Sequence, residues 1–287
     1  MADLYELIEK RATCRAYKPD PIPDDVLNRV LEAGCKSPSC GGFQSISIIK
    51  ITDPDKRKRL VDFSRGQKFV ATAPVSLVFC VDYHRMRRVM TREPAPFRQQ
   101  DQFKYLMMGI IDASICAQTM VLAAEAEGLG SCYNGNILNV MDQISDLMEL
   151  PEQIFPVVML TLGWPRTDRR RQPPKYPASL LVHENTYQER PDEVLYAAYR
   201  KQNRWQKLPA KPQWVENCCT VAERLHGADY AAQVRKDIKE KGYIGPYQYW
   251  FGCYYLDSPD FMTNKDYQLY FKKQGFEWLE EKEKLVL

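Results

Sequence analysis

LMMGIIDASICAQTMVLAA, residues 106–124, is the longest apolar stretch of the chain, and we expect the fold to form around it. Asp112 and Gln118 interrupt it with polar groups, which suits a buried helix of a soluble protein better than a membrane span. Gly128 follows shortly after, and glycine commonly ends a helix. The pattern predicts a long hydrophobic helix over about residues 100–127, at the centre of the molecule.

Three stretches outside this helix have the pattern of β-strands. SISIIKI at residues 45–51 alternates and is rich in β-branched side chains, whereas VSLVFCVDY at residues 75–83 is continuously apolar. PVVMLTLGWP at residues 156–165 is the third. SCYNGNI at residues 131–137 is typical of a turn, because Gly135 is flanked by asparagines. Helical patterns separate the strands, which predicts a compact core of strands and helices over the first two thirds of the chain.

Composition and charge argue against several classes of protein. The 287 residues carry a net charge of only +3, too weak to indicate binding to nucleic acid. The nine cysteines form no C-x-x-C pair and the three histidines are scattered, which argues against a zinc or iron–sulfur site. An odd number of cysteines in a long chain argues against a secreted disulfide framework. The amino-terminal MADLYELIEK lacks the apolar segment of a signal peptide, so we expect reduced thiols and a cytoplasmic protein.

The last third of the chain is more polar than the rest. We expect a core over residues 1–190 and an appended helical extension over residues 191–287, without a core of its own. Within the extension, YIGPYQYWFGCYY at residues 243–255 is either an aromatic lid over a planar acceptor or plain packing of the extension. The adjacent Cys218 and Cys219 are either a redox pair, which would close only a strained ring, or two half-buried thiols.

RATCRAY at residues 11–17 places Arg11, Thr13 and Arg15 close together near the start of the chain. In an extended segment all three side chains face one side, and in a helix the two arginines do. In either conformation the guanidinium groups can converge on one anion. Arginine suits phosphate because its planar fork donates two parallel hydrogen bonds. A solvated amino-terminal arm is the alternative.

A loop with the sequence SPSCGGFQ, residues 37–44, could contact a polar cofactor. Ser39 offers a hydroxyl group and Gln44 an amide that both donates and accepts. The two glycines between them allow a ligand to approach the backbone closely. An ordinary loop has the same composition, so the segment by itself indicates little.

Two more segments contain groups that suit a heterocyclic ligand. In RGQKF, Gln67 and Lys68 could hydrogen-bond the carbonyl groups of a heterocycle, and the lysine could stabilise negative charge there. In SCYNGNI, Gly135 could present its backbone N–H at close range. The alternatives are a solvated lysine and a plain turn after the long helix.

Taken together, the order and spacing of these segments resemble the FMN-dependent nitroreductase family. The resemblance runs almost continuously from residue 3 to residue 190, through RATCRAYKPDPIP, SPSCGGFQSISIIKITD, GQKFVATAPVSLVFCVDY, AAEAEGLGSCYNGNI and LPEQIFPVVMLTLGWP. The GQK, the LGWP and YPASLLVHENTYQ look like the branch of major oxygen-insensitive nitroreductases and NADPH–flavin reductases. The resemblance implies an α+β fold, a three-layer sandwich with a central mixed sheet, in an intertwined homodimer with an extended helical carboxyl-terminal section.

The resemblance also implies two FMN sites, each built from both chains. Arg11 and Arg15 would hold the phosphate and ribityl end, and Lys175 would be a third phosphate contact where the branch usually has arginine. The FMN-binding residues implied in this way are Arg11, Ala12, Thr13, Arg15, Ser39, Cys40, Gln44, Gln67, Lys68, Tyr133, Asn134, Gly135, Asn136 and Lys175.

At the flavin end, Ser39 and Gln44 would contact the ring or the ribityl chain. Gln67 and Lys68 would reach the pyrimidine edge, where a fixed cation favours the two-electron reduced flavin. Gly135 would offer its N–H near the flavin N5. No side chain is implied as a catalytic nucleophile or base, because the hydride chemistry belongs to the flavin.

This chain departs from the branch at several places. Asn136 stands where the branch has a second glycine, and Cys40-Gly41-Gly42 stands where it has a run of serines. The arginine-rich segment that binds the 2′-phosphate of NADPH in the branch is not recognisable, so NADPH and NADH both remain open as donors.

The activity implied is that of an FMN-dependent oxidoreductase that uses NAD(P)H by a two-electron ping-pong mechanism. The acceptors would be small molecules, namely nitroaromatics, quinones or flavins, and neither nucleic acid nor a membrane is expected as a partner. Two alternatives stay open. One is a flavoenzyme that reduces an activated C=C or carbon–halogen bond, and the other is a non-enzymatic flavin-binding sensor or carrier.

Overall fold

The chain folds as two compact units. The computed structural model describes residues 3–167, 172–256 and 261–280. One unit consists of Met1–Gln172 together with Asp260–Leu287, and the other is Pro173–Pro259.

The helices and strands are numbered in chain order. The α-helices are α1 (Leu4–Lys10), α2 (Asp24–Cys35), α3 (Pro54–Phe63), α4 (Phe69–Thr72), α5 (His84–Met90), α6 (Phe103–Ala126), α7 (Met141–Leu147), α8 (Ala178–Leu181), α9 (Asp192–Gln202), α10 (Pro212–His226), α11 (Ala228–Lys241), α12 (Pro246–Tyr249) and α13 (Asn264–Lys273). The strands are β1 (Ile46–Ile51), β2 (Val75–Asp82), β3 (Gly130–Asn134), β4 (Ile154–Gly163), β5 (Leu208–Pro209) and β6 (Tyr243–Ile244). Short 3₁₀ turns lie at Cys40–Gly42 and Asn136–Val140, and a π-helical turn lies at Trp250–Tyr254.

The long helix and the three predicted strands are confirmed as α6, β1, β2 and β4. The prediction of a plain turn over residues 131–137 is wrong in its first half, because Gly130–Asn134 forms a fourth strand. This strand is short and mixed in polarity, and its pairing with β4 stabilises it. Ser131, for example, pairs with Leu162 of β4. Such a strand has no clear signal in its own sequence.

The four strands of the first unit form one sheet in the order β1-β2-β4-β3. All pairings between these described strands are antiparallel, so the mixed sheet that the resemblance implied is not found among them. The reason lies in the connections. Ile51 at the end of β1 pairs with Ser76 at the start of β2, so the chain returns to the sheet at the same end of the strands at which it left. A connection of this kind reverses direction and gives an antiparallel pair.

β2 is central in the sheet and is buried along its whole length, as its continuous apolar sequence predicts. Its side chains alternate between two apolar layers. Phe79 packs in the layer that contains α2 and α6, whereas Val78 packs in the layer that contains α3, α4 and α7. Helices therefore cover both faces of the sheet, which confirms the three-layer α+β arrangement. Full burial of each such side chain contributes about 1.5–3 kcal/mol.

Within the described part of the chain, α6 alone is long and apolar enough to cross a membrane. It nevertheless carries the buried carboxyl group of Asp112, and its buried face packs on the sheet. A β-carbon at Gly109 would lie 2.6 Å from Val81 Cγ1, so the helix approaches β2 closely at that point. α6 is thus a core helix of the first unit, and core helices of soluble proteins share this length and composition.

The last described helix, α13, and the residues after it belong to the first unit. Phe271, Phe276 and Trp278 surround Phe155 of β4, with ring centroids 5.4, 5.6 and 5.6 Å away. The predicted boundary at residue 190 is therefore corrected. The chain leaves the first unit at Pro173 and returns to it near residue 260, because these aromatic side chains complete the core around β4.

The second unit contains an apolar cluster of its own, contrary to the expectation of an extension without a core. Cys218 on α10 and Ile244 on β6 are buried in it. The rings of Trp214 and Tyr249 pack beside them, with centroids 5.2 Å apart. The aromatic stretch at residues 243–255 therefore contributes packing within this unit.

Candidate functional site

RATCRAY folds as an extended segment that lies beside β3. The backbone N–H of Cys14 donates to the carbonyl oxygen of Ser131 at 2.8 Å. Cys14 is buried, whereas Thr13 and Arg15 are exposed and Arg11 is half-buried. In an extended chain alternate residues face the same side, so Arg11, Thr13 and Arg15 share the outward face. The structure thereby selects the extended conformation from the two that the sequence left open.

Ala12 and Tyr17 anchor this segment to the core. Ala12 is buried, and the Tyr17 hydroxyl lies 2.8 Å from Oγ1 of Thr161 on β4. The same hydroxyl donates to the carbonyl oxygen of Cys14 at 2.8 Å. Burial raises the pKa of Tyr17 far above its ordinary value, so its hydroxyl is neutral and available for these hydrogen bonds. Buried Ala12 and the hydrogen bonds of Tyr17 thus fix the backbone that bears the two arginines.

The two guanidinium groups lie near successive residues of β3. Burial raises the pKa of Tyr133 to about 12, and the charge of Arg11 acts in the opposite direction. Burial likewise raises the pKa of Cys132, opposed by Arg15. Within the described residues, neither arginine forms a salt bridge with a carboxylate of the chain. This pair of cations is therefore suited to an external anion such as a phosphate.

Just beyond the carboxyl end of β3, amide groups gather around an open stretch of backbone. Asn134 Nδ2 donates to Gln67 Oε1 at 3.4 Å, and the backbone N–H of Asn136 donates to Asn134 Oδ1 at 3.0 Å. Gly135 between them is exposed, with no described atom within 4 Å of the position a β-carbon would take. Lys68 is exposed and directly precedes α4. Amide groups and open backbone are thus close together, and Lys68 directly follows Gln67 in the chain.

β3 joins the arginine cluster to the amide cluster. From Cys132, near Arg15, to Gly135 the chain advances by about 10 Å at the rise of an extended strand. Between them, Tyr133 is 40% exposed and its hydroxyl donates to Gln118 Oε1 at 3.3 Å. An elongated ligand with an anionic end and a heterocycle that bears carbonyl groups matches this distribution of donors. FMN is such a ligand, so the residues present fit it.

The loop with Ser39, Cys40 and Gln44 is held by α6 rather than by β3. The Cys40 backbone N–H donates to Asp112 Oδ1 at 3.0 Å, and the Ser45 hydroxyl donates to Oδ2 at 3.1 Å. The Gln44 backbone N–H donates to Ser39 Oγ at 3.0 Å, so this hydroxyl already supports the loop. Asp112 is the anchor of the loop. Sequence reasoning noted it only as an interruption of an apolar stretch, although a lone carboxyl group there was the available signal.

Contacts within one chain thus place two groups of residues along β3: the arginine cluster, Arg11 and Arg15, and the amide cluster, Gln67, Asn134 and Asn136. The 39–44 loop contacts α6 and belongs to neither group. Lys175 belongs to the second unit, where it is exposed. The roles of all these residues toward a ligand remain predictions.

Comparisons with known proteins identify the family of the chain. Residues 8–164 match the sequence model of the Nitroreductase family. The chain is 35% identical over 202 residues to the oxygen-insensitive NADPH nitroreductase of Salmonella typhimurium, covering 70% of this chain and 81% of that protein. It is 32% identical over 237 residues to the NADPH-flavin oxidoreductase of Vibrio harveyi, covering 80% and 96%. Among solved structures, the NADPH:FMN oxidoreductase from Vibrio harveyi complexed with NAD+ superposes with a TM-score of 0.65 at 30% identity, covering 81% of this chain and 97% of that one. The match over more than half of the chain, together with these relatives, shows that the chain belongs to the Nitroreductase family.

Proposed function

We propose that this protein is an FMN-dependent oxidoreductase that takes a hydride from NADPH or NADH and reduces a small acceptor. Nitroaromatics, quinones and free flavins are the acceptors we expect. One observation carries the proposal: the outward face of RATCRAY lies beside β3, and the open backbone at Gly135 directly follows the carboxyl end of the same strand. Cations and open backbone thus lie along one strand, as an elongated anionic cofactor requires. The names of the relatives support it, since they include NADPH nitroreductase, NADPH-flavin oxidoreductase and FMN reductase.

At the anionic end, Arg11 and Arg15 would bind the FMN phosphate with Thr13 beside them. Their planar groups donate paired hydrogen bonds, and the buried anchors of the segment hold them in place without rearrangement. The resemblance implies Lys175 as a third phosphate contact, and its ammonium group is a point charge rather than a fork.

At the flavin end, bound FMN would supply the hydride chemistry, and the protein would supply binding and electrostatics. Gln67 and Asn134 would hydrogen-bond the pyrimidine edge. Lys68 would stabilise negative charge that develops there on reduction. The backbone N–H of Gly135 would be offered to the ring at close range, because no side chain stands in the way.

The protein would act as a homodimer, with each site completed by the second copy. Phe103, Met107, Ile111 and Ile115 recur every four residues on α6 and are 47, 51, 53 and 37% exposed in the single chain. This spacing forms one apolar stripe, which a soluble protein normally covers. The 39–44 loop is anchored on the same helix, so a second copy seated on the stripe would bring this loop to a site of its partner. The protein would be soluble and cytoplasmic.

The decisive experiment is an anaerobic absorption spectrum of the purified protein reconstituted with FMN, before and after addition of NADPH or NADH. We expect a bound-flavin spectrum that bleaches rapidly with one of the two donors and recovers when a nitroaromatic or quinone is added. A bound flavin that persists with both donors would contradict the oxidoreductase cycle and favour a flavin-binding sensor or carrier. Failure to bind FMN would mean that the arginine pair holds another anion.

A further inference from the structure

Two cysteine side chains from distant parts of the second unit lie in contact. Cys218 on α10 and Cys253 in the π-helical turn are 35 residues apart in sequence, and their sulfur atoms are 3.6 Å apart. Cys218 Sγ also donates to the carbonyl oxygen of Gln248 at 3.2 Å, and Cys253 Sγ donates to that of Trp214 at 3.4 Å. The two thiols are thus held facing each other.

The π-helical turn brings the two sulfur atoms this close. A β-carbon at Gly252 would lie 2.6 Å from Cys218 Sγ and 2.9 Å from Cys218 Cα. The missing side chain therefore lets the turn pack directly on α10. π-helical turns are rare, and they occur frequently at functional positions.

We propose that Cys218 and Cys253 are a redox modification site, which forms a reversible intramolecular disulfide when the protein meets a hydroperoxide. A disulfide bond is about 2.05 Å long, so the sulfur atoms need to approach by roughly 1.5 Å. The proposal is independent of the flavin chemistry. It also replaces the Cys218–Cys219 pair considered from the sequence, whose ring would be strained.

The reaction balances with one molecule of hydrogen peroxide. The Cys253 thiolate attacks one peroxide oxygen and the O–O bond breaks, which gives a sulfenic acid at Cys253 and hydroxide, which becomes water on taking up the proton lost by the thiol. The Cys218 sulfur then attacks the sulfenic sulfur, the S–S bond forms, and hydroxide leaves and takes the Cys218 proton. Two thiols and one peroxide thus become one disulfide and two waters. A thiol reductant reverses the modification.

Burial sets the speed of this reaction. It raises the pKa of Cys218 to about 12 and also raises that of Cys253, although the neighbouring Cys218 acts in the opposite direction on the pKa of Cys253. The thiolate is the reactive form, so oxidation is slow near neutral pH and accelerates about tenfold per pH unit in the alkaline range. Cys253 is half-buried, so a small oxidant can reach it from solvent, and Cys218 lines a cavity of about 400 Å³.

The test treats the intact protein with hydrogen peroxide at pH 7 and pH 9, blocks remaining thiols under denaturing conditions, and maps tryptic peptides by mass spectrometry. We expect a cross-link between the peptide of residues 208–224 and the peptide of residues 242–265, lighter by two hydrogens than the sum of its parts. It should form faster at pH 9 and disappear after reduction with dithiothreitol. Wild-type protein alone gives this result, so it depends on no variant being folded.

Cys218 and Cys219 share a tryptic peptide, and two variants distinguish them. Cys219→Ser should keep the cross-link, because that side chain lies near Arg235 and Glu216 rather than near Cys253. Cys218→Ser should abolish it. The proposal is overturned if both target thiols are recovered separately, free or individually oxidised, at either pH, or if the cross-link persists in Cys218→Ser.

Discussion

Asp112 Oδ1 accepts a hydrogen bond from the Cys40 backbone N–H at 3.0 Å, which joins the middle of the apolar helix α6 to the tip of the 39–44 loop. The carboxyl group is buried and its second oxygen accepts from Ser45. A polar group inside an apolar helix is costly to bury unless it is fully hydrogen-bonded. This bond therefore fixes the loop on the helix and keeps the helix compatible with the core.

Replacing Asp112 by alanine should destabilise the protein by about 1–3 kcal/mol, because the buried Ser45 hydroxyl and the half-buried Cys40 N–H both lose their acceptor. The free energy of unfolding in urea measures this effect. Asp112→Asn is the matched control, since its amide oxygen can still accept from Cys40 and the shape is retained. Equal stability of Asp112→Ala and the wild type would contradict the anchoring role.

Replacing Arg15 by alanine should weaken FMN binding on the order of tenfold to a hundredfold, because a charge-assisted hydrogen bond contributes about 1.5–3 kcal/mol. Fluorescence titration measures the affinity. Riboflavin, which lacks the phosphate, should bind the variant and the wild type alike. Arg29→Ala is the control variant, since that arginine is already paired with Asp25 and Glu127 on the surface. An equal loss for riboflavin would argue against a phosphate contact.

Replacing Lys68 by methionine should make the midpoint potential of the bound flavin more negative by tens of millivolts. A tenfold change in preference for the reduced form corresponds to about 30 mV for a two-electron couple. Spectroelectrochemistry on the FMN-loaded protein measures the shift. Lys58→Met serves as the control, because Lys58 is an exposed residue paired with Asp55. The electrostatic role of Lys68 is refuted if both variants keep the wild-type potential.

Tyr17 should make the protein sensitive to alkaline pH. Burial raises its pKa above the value of about 10 found in unfolded chains, so its contribution to stability is complete below pH 10 and is lost as the pH rises further. Between pH 9 and pH 11, the free energy of unfolding of Tyr17→Phe should therefore fall less steeply than that of the wild type, by up to about 1.4 kcal/mol per pH unit. Near neutral pH the same variant should be less stable by about 1 kcal/mol, through its lost hydrogen bonds.

Urea unfolding at several pH values tests this prediction. Other groups that titrate above pH 9 are common to both proteins and cancel in the difference. Tyr5→Phe is the control, because Tyr5 is 75% exposed and should leave the pH profile unchanged. Parallel profiles for Tyr17→Phe and the wild type would show that the Tyr17 hydroxyl is not held neutral by burial.

Replacing Ile111 by lysine should separate the proposed dimer, because a charge would be buried in the middle of the α6 stripe. Sedimentation velocity should show a smaller species, and FMN should be lost on gel filtration because its site would lack the partner's loop. Ile111→Leu keeps the apolar surface and should remain dimeric. A lysine variant that stays dimeric and retains FMN would exclude this face as the interface.

Most of the first unit could be predicted from the sequence because its signals are local. The pattern of the 106–124 stretch fits few structures other than a buried helix, and that of the apolar 75–83 stretch fits few other than a central strand. The conformation of RATCRAY could not be predicted in the same way, because Arg11 and Arg15 share a face both in a helix and in an extended strand. Pairing with Ser131 decided the conformation, and that contact is far away in sequence.

The parts that could not be predicted depend on non-local contacts. β3 exists because β4 pairs with it. The ring of Phe271 on α13 packs on Phe155, which lies more than a hundred residues earlier in the chain. The arginines at 11 and 15 and the residues Gln67, Lys68 and Gly135 were candidates from their own sequence, whereas their roles toward FMN came only from the resemblance and stay predictions. Asp112 escaped notice because its partners are backbone and hydroxyl groups with no pattern of their own.

The place of Phe271, Phe276 and Trp278 in the core has a consequence for synthesis. The ribosome makes these rings only after every residue of the second unit, although they pack on β4 of the first. Phe155 therefore lacks these three packing partners while about a hundred further residues are made, which at typical elongation rates takes about 5–20 seconds. The first unit closes only after Trp278 has been made, so a nascent chain that stalls before residue 271 presents an open aromatic core to chaperones and proteases.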